Sequence, residues 1–304
     1  MKVGTVSIIG LPNAGKSTLL NALAGMKLAI VSSKPQTTRT SVQGVLTEAE
    51  FGQIVFVDTP GIHKSDSVFN QRMMRTVRAS LANLDAVVYV VDARREIDDE
   101  QRQAMDVLQN VEVPVILALN KIDKITKKEK LIELLSAYQQ IREFTAYIPI
   151  SAAHGDQVDV LKNEIFKHLP EGEPIFPEDH VTDQPSRFIA AEMIREKLLD
   201  STEQEVPHSV AVFVEKWEDT PKIIRVMATI FVEKEGQKAI VIGQGGAMIK
   251  KIGTEARLEL EKFFEQKFYL ELFVKVRPNW RENVEFLNEL DWRKMIGGDT
   301  TSEK

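Results

Sequence analysis

Apolar residues in the first half of the chain fall into two rhythms. Short, nearly continuous apolar runs occur at Thr5 to Ile9, Val42 to Glu48, Ile54 to Asp58, Ala86 to Val91, Val115 to Asn120 and Ala146 to Ile150. Runs of that kind predict buried strands. Longer amphipathic stretches lie near Lys16 to Ala24, Asn70 to Asn83, Asp98 to Asn110, Lys127 to Ile141 and Gln157 to His168, and their spacing predicts helices. Strands alternating with helices predict an α/β domain with a mostly parallel six-stranded sheet and right-handed crossovers. Val42 to Glu48 and Ile54 to Asp58 are separated by a short turn at Phe51-Gly52, so they predict a hairpin with one antiparallel strand at the sheet edge.

The rhythm breaks at Leu169 to Glu178, where three prolines and a glycine interrupt any periodicity. That stretch predicts a linker. Beyond it come an amphipathic helix near Arg187 to Leu199, β-rich runs at Val210 to Lys216 and Ile223 to Val232, a short element before Gly243, a helix from Met248 to Phe264 and a strand from Tyr269 to Val276. The order is helix, strand, strand, short helix, long helix, strand, which is an α+β pattern. A final helix is expected between Pro278 and Trp292, with Trp280 either stacking on a base or packing into a core or a domain interface. The expected division is a first domain over 1–169, a linker over 170–183, a second domain over 184–296 and a frayed tail over 297–304.

Composition changes this picture little. At 304 residues the chain has room for two ordinary cores. There is no cysteine, so neither disulfides nor thiolate metal sites are available, and the five histidines lie far apart. No apolar run approaches the ~20 residues of a membrane span, and the first residues lack the basic start of a signal peptide; the expected location is the cytoplasm. The net charge is −6 and each half carries slightly more acid than base, so a nucleic-acid partner has to be argued from a local site.

One local site is Gly10-Leu11-Pro12-Asn13-Ala14-Gly15-Lys16-Ser17, directly after the first strand and before the first helix. The spacing G-x-x-x-x-G-K-S lets backbone N–H groups and a helix N-terminus surround phosphate oxygens. The candidate contacts are Asn13, Ala14, Gly15, Lys16, Ser17 and Thr18, with Lys16 reaching the β- and γ-phosphates and Ser17 ligating Mg²⁺. Asp58-Thr59-Pro60-Gly61 ends another strand at the edge where α/β sheets bind ligands. Asp58 is the candidate magnesium carboxylate and the Gly61 amide a γ-phosphate contact. Asn120-Lys121-Ile122-Asp123 selects the base, because a carboxylate at Asp123 accepts two hydrogen bonds from guanine and none from the acceptor N1 of adenine. Asn120 braces neighbouring loops or touches the base, Lys121 lays its stem along it, and a backbone amide in Ser151-Ala152-Ala153 is a candidate for guanine O6.

These four elements resemble the GTP-binding domain of translation-factor-like P-loop GTPases. The resemblance places a first switch loop at Lys34 to Thr40, with Thr38 the favoured Mg²⁺ ligand and Thr37 the alternative. The catalytic candidates are then Lys16, Thr38 and Gly61. Where Ras-like proteins carry a water-positioning glutamine, this chain has Ile62, so hydrolysis is expected to be slow. His63 as a base and Arg39 as an arginine finger are readings weighed against a solvated loop, the commoner role for both.

After the linker the informative stretch is Ile242-Gly243-Gln244-Gly245-Gly246-Ala247-Met248-Ile249. Its glycines let a backbone lie against nucleic acid at a helix N-terminus, and Lys238, Lys250 and Lys251 flank it with no acid between them. With the α+β order it resembles a KH domain of the prokaryotic type, a module that clamps single-stranded nucleotides. A GTP-binding domain followed by one KH domain, with Gln36-Thr37-Thr38-Arg39 in the first switch, resembles the Era family of ribosome-assembly GTPases over nearly the whole chain. The resemblance implies GTP/GDP and Mg²⁺ as cofactors, single-stranded RNA from the 3′ region of 16S ribosomal RNA and the small ribosomal subunit as partners, RNA contacts at Gly243 to Gly246, and a monomer. The alternative is a GTP-gated signalling switch whose KH-like domain holds a protein or a membrane surface; the absence of a strong basic amphipathic helix argues against it.

Overall fold

The computed structural model describes residues 1–34, 36–62 and 67–291. Expectations that fall on His63, on Trp292 and on the tail from Gly297 lie outside the described residues. The chain divides into two compact units. The first comprises Met1–Ala29, Thr38–Asp66 and Asn70–Asp183, and the second Ile30–Thr37, Ser67–Phe69 and Gln184–Lys304.

In the first unit the elements run β1 (Lys2–Ile9), α1 (Lys16–Ala24), β2 (Val42–Glu48), β3 (Gly52–Asp58), α2 (Val68–Ala79), β4 (Ala86–Asp92), α3 (Asp99–Met105), β5 (Val115–Asn120), α4 (Lys128–Ile141), β6 (Ala146–Pro149) and α5 (Val158–His168). The sheet order is β2-β3-β1-β4-β5-β6. Only β2 is antiparallel, paired with β3 from Val42 opposite Asp58 to Glu48 opposite Gly52. The edge hairpin and the six-strand sheet match the sequence expectation.

The central strands read as continuous apolar runs because both of their faces are covered. Val6, Ile8, Val88, Val90, Ile116 and Ala118 pack with Leu19, Leu20 and Leu23 of α1 and Leu161 and Ile165 of α5. Ile9, Val87, Tyr89, Val91, Leu117 and Leu119 pack on the other side with Met74 and Val77 of α2, Ala104 of α3 and Tyr138 of α4. Strand ends that close these apolar runs carry Asp58, Asp92 and Asn120. All three lie at the carboxyl edge, where such sheets bind ligands.

The proline-rich segment is docked along this unit. Gln53, fully buried, accepts from the amides of Ile175 (2.8 Å) and Phe176 (2.9 Å) and donates to the Phe176 carbonyl (2.9 Å) and Thr47 Oγ1 (2.9 Å). The Val45 amide donates to the Val181 carbonyl at 2.8 Å, and Thr182 Oγ1 to the Gln43 carbonyl at 2.7 Å. The segment thereby covers part of the exposed edge of β2, whose unpaired backbone groups would otherwise template association.

In the second unit the elements are α6 (Ser186–Ser201), a short α7 (Val206–Ser209), β7 (Ala211–Asp219), β8 (Ile224–Val232), α8 (Glu235–Ile242), α9 (Ala247–Phe264), β9 (Phe268–Val276) and α10 (Val284–Glu289). The sheet order is β7-β8-β9, antiparallel then parallel. Alternate residues of β8, from Ile224 through Val226, Ala228 and Ile230 to Val232, meet Ile189, Met193, Ile194 and Leu198 of α6 and Ile252, Ala256 and Leu260 of α9. Ile252, Ala256 and Leu260 recur every four residues, one stripe of a helix. Trp280 is fully buried, donates through Nε1 to the Ser209 carbonyl at 2.9 Å and meets Phe286 edge-on. The structure decides between its two sequence readings: it is a packing residue. Among the described residues no helix is long and apolar enough to cross a membrane.

Candidate functional site

The phosphate loop turns between β1 and α1. Gly15 sits at φ 97°, and a Cβ there would come within 2.2 Å of Asn120 Nδ2, so only glycine lets the base-binding loop lie against the phosphate loop. Lys16 is buried and donates to the carbonyls of Gly10 (3.2 Å) and Leu11 (3.0 Å). Burial pulls its pKa down to about 8, with the Asp58 charge opposing that shift. Among the described residues its hydrogen-bond acceptors are those two carbonyls, and a polyphosphate would add the negative charge that a buried ammonium favours.

Ser17 Oγ lies 2.7 Å from Asp58 Oδ2, to which it donates, and 2.8 Å from Thr38 Oγ1. Thr38 Oγ1 is itself 3.4 Å from Asp58 Oδ2. Thr37 instead turns its hydroxyl to the Lys34 carbonyl at 2.6 Å, so Thr38 is the threonine that joins the cluster. Asp58 is fully buried, and its second oxygen, Oδ1, has no hydrogen-bond partner among the described residues. Burial raises its pKa to about 6 against the lowering effects of Lys16, Ser17 and Thr38. Two hydroxyls, a carboxylate and an orphaned carboxylate oxygen are hard donors of the kind Mg²⁺ takes. These residues fit such an ion, which Ser17, Thr38 and Asp58 would hold. When bound beside phosphates, the ion neutralises their charge.

Gly61 approaches the phosphate loop so closely that a Cβ would sit 2.7 Å from Pro12 Cγ. Ile62 donates its amide to the Gly10 carbonyl at 3.1 Å and buries its side chain with Leu11 and Met74. It is a packing residue at the position where a water-orienting side chain was sought.

The base loop is tied to the phosphate loop from two sides. Asn120 Nδ2 donates to the Ala14 carbonyl at 2.8 Å, and Asn120 Oδ1 accepts from the amides of Lys121 (2.8 Å) and Ala152 (3.0 Å). Lys121 Nζ donates to the Asn13 carbonyl and to Asp92 Oδ2 at 2.8 Å. Asp123 Oδ1 accepts from Ser151 Oγ at 2.7 Å, which is the main reason its pKa lies below the ordinary carboxylate value. The Ser151 amide donates to the Asp156 carbonyl at 3.0 Å. Through the Ser151 hydroxyl and the Ala152 amide, these two residues brace Asp123 and Asn120. Sequence reasoning passed over Asp92, although its place at the end of an apolar strand, like that of Asp58, was a usable signal.

In the second unit α8 ends at Ile242, and Gly243, Gly245 and Gly246 all have positive φ, at 73°, 58° and 80°. Gly243 is crowded, with a Cβ there 2.8 Å from the Met248 nitrogen, whereas Gly245 and Gly246 face open space. The loop feeds directly into the N-terminus of α9, whose N-cap is Gly246 and whose first turn carries no acid. Gln244, Gly245, Lys250 and Lys251 are exposed and Lys238 is half-buried. Lys251 Nζ lies 4.0 Å from Glu255 Oε1 at the next turn. Exposed donors, helix N-terminus and lysines make a small basic face on an acidic domain.

Two family models match the chain: a 50S ribosome-binding GTPase over residues 5–121 and a KH domain over residues 205–281. The GTPase Era of Syntrophus aciditrophicus is 45% identical over 295 residues, covering 96% of each chain. That of Ruminiclostridium cellulolyticum is 42% identical, covering 96% of this chain and 98% of the relative. The chain belongs to the GTPase Era family. Among solved structures, Era in complex with MgGDPNP and nucleotides 1506–1542 of 16S ribosomal RNA has a TM-score of 0.94 at 40% identity, covering 96% of this chain and 99% of that one. A point variant of Aquifex aeolicus Era bound to GDP and aluminium tetrafluoride has a TM-score of 0.92 at 40% identity. Membership of the Era family makes this a GTPase that uses GTP, GDP and Mg²⁺, and the Ser17, Thr38 and Asp58 cluster fits that chemistry.

Proposed function

We propose that this chain is a slowly hydrolysing GTP switch that clamps single-stranded RNA from the 3′ region of 16S ribosomal RNA and assists maturation of the small ribosomal subunit. The carrying observation is the coexistence, on one chain that covers 96% and 98% of two Era relatives, of the Lys16, Ser17, Thr38 and Asp58 cluster with the Gly243 to Gly246 loop. The likeness to the Era–RNA complex extends over both units, which supports the same pairing of sites here. In this reading Asn13 to Thr18 surround the phosphates, Asp123 reads guanine, Gly61 meets the γ-phosphate, and Lys238, Lys250 and Lys251 pair with RNA phosphates while the glycine loop lies against the backbone.

Slow turnover follows from Ile62, whose buried alkyl side chain offers no hydrogen bond to an attacking water. Two measurements test the proposal. The full chain loaded with GDPNP and Mg²⁺ should bind a single-stranded 3′-terminal 16S fragment at least about tenfold more tightly than a scrambled strand of the same composition; equal affinity would remove the 16S assignment. Asp123→Asn should lose GTP and accept xanthosine triphosphate, because an amide pairs with the 2-oxo group of xanthine. Unchanged base preference would remove the guanine assignment.

A further inference from the structure

We propose that Asp92 is a positioning residue for guanine-nucleotide affinity, acting through Lys121 to clamp the base loop onto the phosphate loop. The inference deepens the nucleotide-site reading above and rests on it. Asp92 closes β4 and pairs with Asn120 in the β4–β5 register. The Ala93 amide also donates to the Asn120 carbonyl at 2.9 Å, so the carboxylate is fixed beside the start of the base loop by the sheet itself.

Its two oxygens are fully committed. Oδ1 accepts from the Arg94 amide (3.0 Å) and Nε (2.9 Å), and Oδ2 accepts from Arg94 Nη2 (2.6 Å) and Lys121 Nζ (2.8 Å). The side chain is 7% exposed. Burial alone would raise its pKa, yet hydrogen bonds from Arg94 and Lys121 hold it at about 2, so the group is a permanent anion at any working pH.

Lys121 stands in a left-handed backbone conformation at φ 69°, which few non-glycine residues adopt without support. Its ammonium is shared between the Asp92 carboxylate and the Asn13 carbonyl of the phosphate loop. The carboxylate thus directs the lysine stem across the gap between the two loops, with Gly15 in the same gap, where a Cβ would lie 3.9 Å from Lys121 Cε. With Asp92 neutral, a carbonyl would have to hold the ammonium alone against water, and the stem would be released from the base site.

Because the clamp touches neither the γ-phosphate nor the base-reading carboxylate, it should act on GDP and GTP alike and leave base preference intact. The experiment is a double-mutant cycle of Asp92→Asn and Lys121→Gln in the full chain, read by dissociation of fluorescently labelled GDP and GTP. Asp92→Asn is expected to speed release of both nucleotides by about tenfold, the size of one part-buried charge-assisted hydrogen bond. In the Lys121→Gln background the same change is expected to alter release by less than about twofold. A purely structural role for Asp92 would instead give the same factor in both backgrounds, which would overturn the proposal, as would wild-type release from Asp92→Asn. Thermal melting of each variant with and without GDP identifies any loss of fold, and the Lys121→Gln single variant carries the comparison if Asp92→Asn proves unstable: its release rates must then rise equally for GDP and GTP, and unequal factors overturn the clamp. Asp123→Asn reports separately on the underlying reading, since its switch to xanthine nucleotides does not depend on Asp92.

Discussion

The raised pKa of Asp58 should make Mg²⁺ binding measurably pH-dependent in a range where ordinary carboxylates are silent. The perturbation is a shift from pH 7.5 to pH 5 on GDP-loaded protein. With the carboxyl at about 6, it is ~0.97 ionised at pH 7.5 and ~0.09 at pH 5, so apparent Mg²⁺ affinity should fall about tenfold. A carboxyl left at its ordinary value of 3.8 would still be ~0.94 ionised at pH 5, and affinity would scarcely move. The β-phosphate of GDP also titrates in this interval, so the same titration on Asp58→Asn supplies the reference. The assay is Mg²⁺ titration followed by the fluorescence of a labelled GDP. The expected result is a loss in the wild type about tenfold greater than in Asp58→Asn. Equal losses in both would refute the assignment of Asp58 as a desolvated magnesium carboxylate.

Lys16 makes the stability of nucleotide-free protein pH-dependent in a higher range. Its folded pKa of about 8 lies below its ordinary 10.5, so the unfolded chain holds more protons in that interval and stability rises with pH; between pH 7.5 and pH 10 the gain relative to Lys16→Met should be about 2 kcal/mol by denaturant titration. Gln53→Leu strips the docked segment of three hydrogen bonds and should cost about 2 kcal/mol, seen as a melting temperature lower by about 4–8 °C; an unchanged melting temperature would show that the docking contributes nothing. Thr38→Ala should weaken Mg²⁺-dependent binding of GDPNP by at least about tenfold, whereas Thr37→Ala, whose hydroxyl turns to the Lys34 carbonyl, should change it by less than about threefold.

Much of the fold was legible because both domains obey local rules. Strands buried on two faces read as apolar runs and helices covering them read as stripes, so the six-stranded sheet, its edge hairpin and the α+β order of the second half could be placed from the chain alone. The nucleotide residues were legible for a different reason: phosphate and guanine impose residue types at set spacings. What stayed hidden depends on contacts between distant segments. Gln53 gives no sign in the sequence that it holds residues 175 and 176, because the partners are backbone groups, which carry no residue code. Trp280 allowed two roles until its indole was seen to donate to the Ser209 carbonyl. Asp92 was overlooked because its partner Lys121 lies 29 residues away and comes beside it only through strand register. The engagement of the Ser151 and Ala152 amides likewise depends on a turn that spacing alone does not specify.

The central claim is that the glycine loop after α8 is the RNA clamp of a GTP-binding chain. Gly245 and Gly246 face open space but stand at left-handed φ; aspartate tolerates that conformation better than most side chains and places two negative charges where RNA phosphates would lie, whereas Gly243, crowded by Met248, is unsuited to the purpose. Anisotropy titration of a single-stranded 3′-terminal 16S fragment over a range of salt, with circular dichroism confirming the fold, compares the wild type with the Gly245→Asp, Gly246→Asp variant. RNA binding should weaken by at least about thirtyfold, with a shallower salt dependence. RNA affinity and salt slope equal to those of the wild type would contradict that claim.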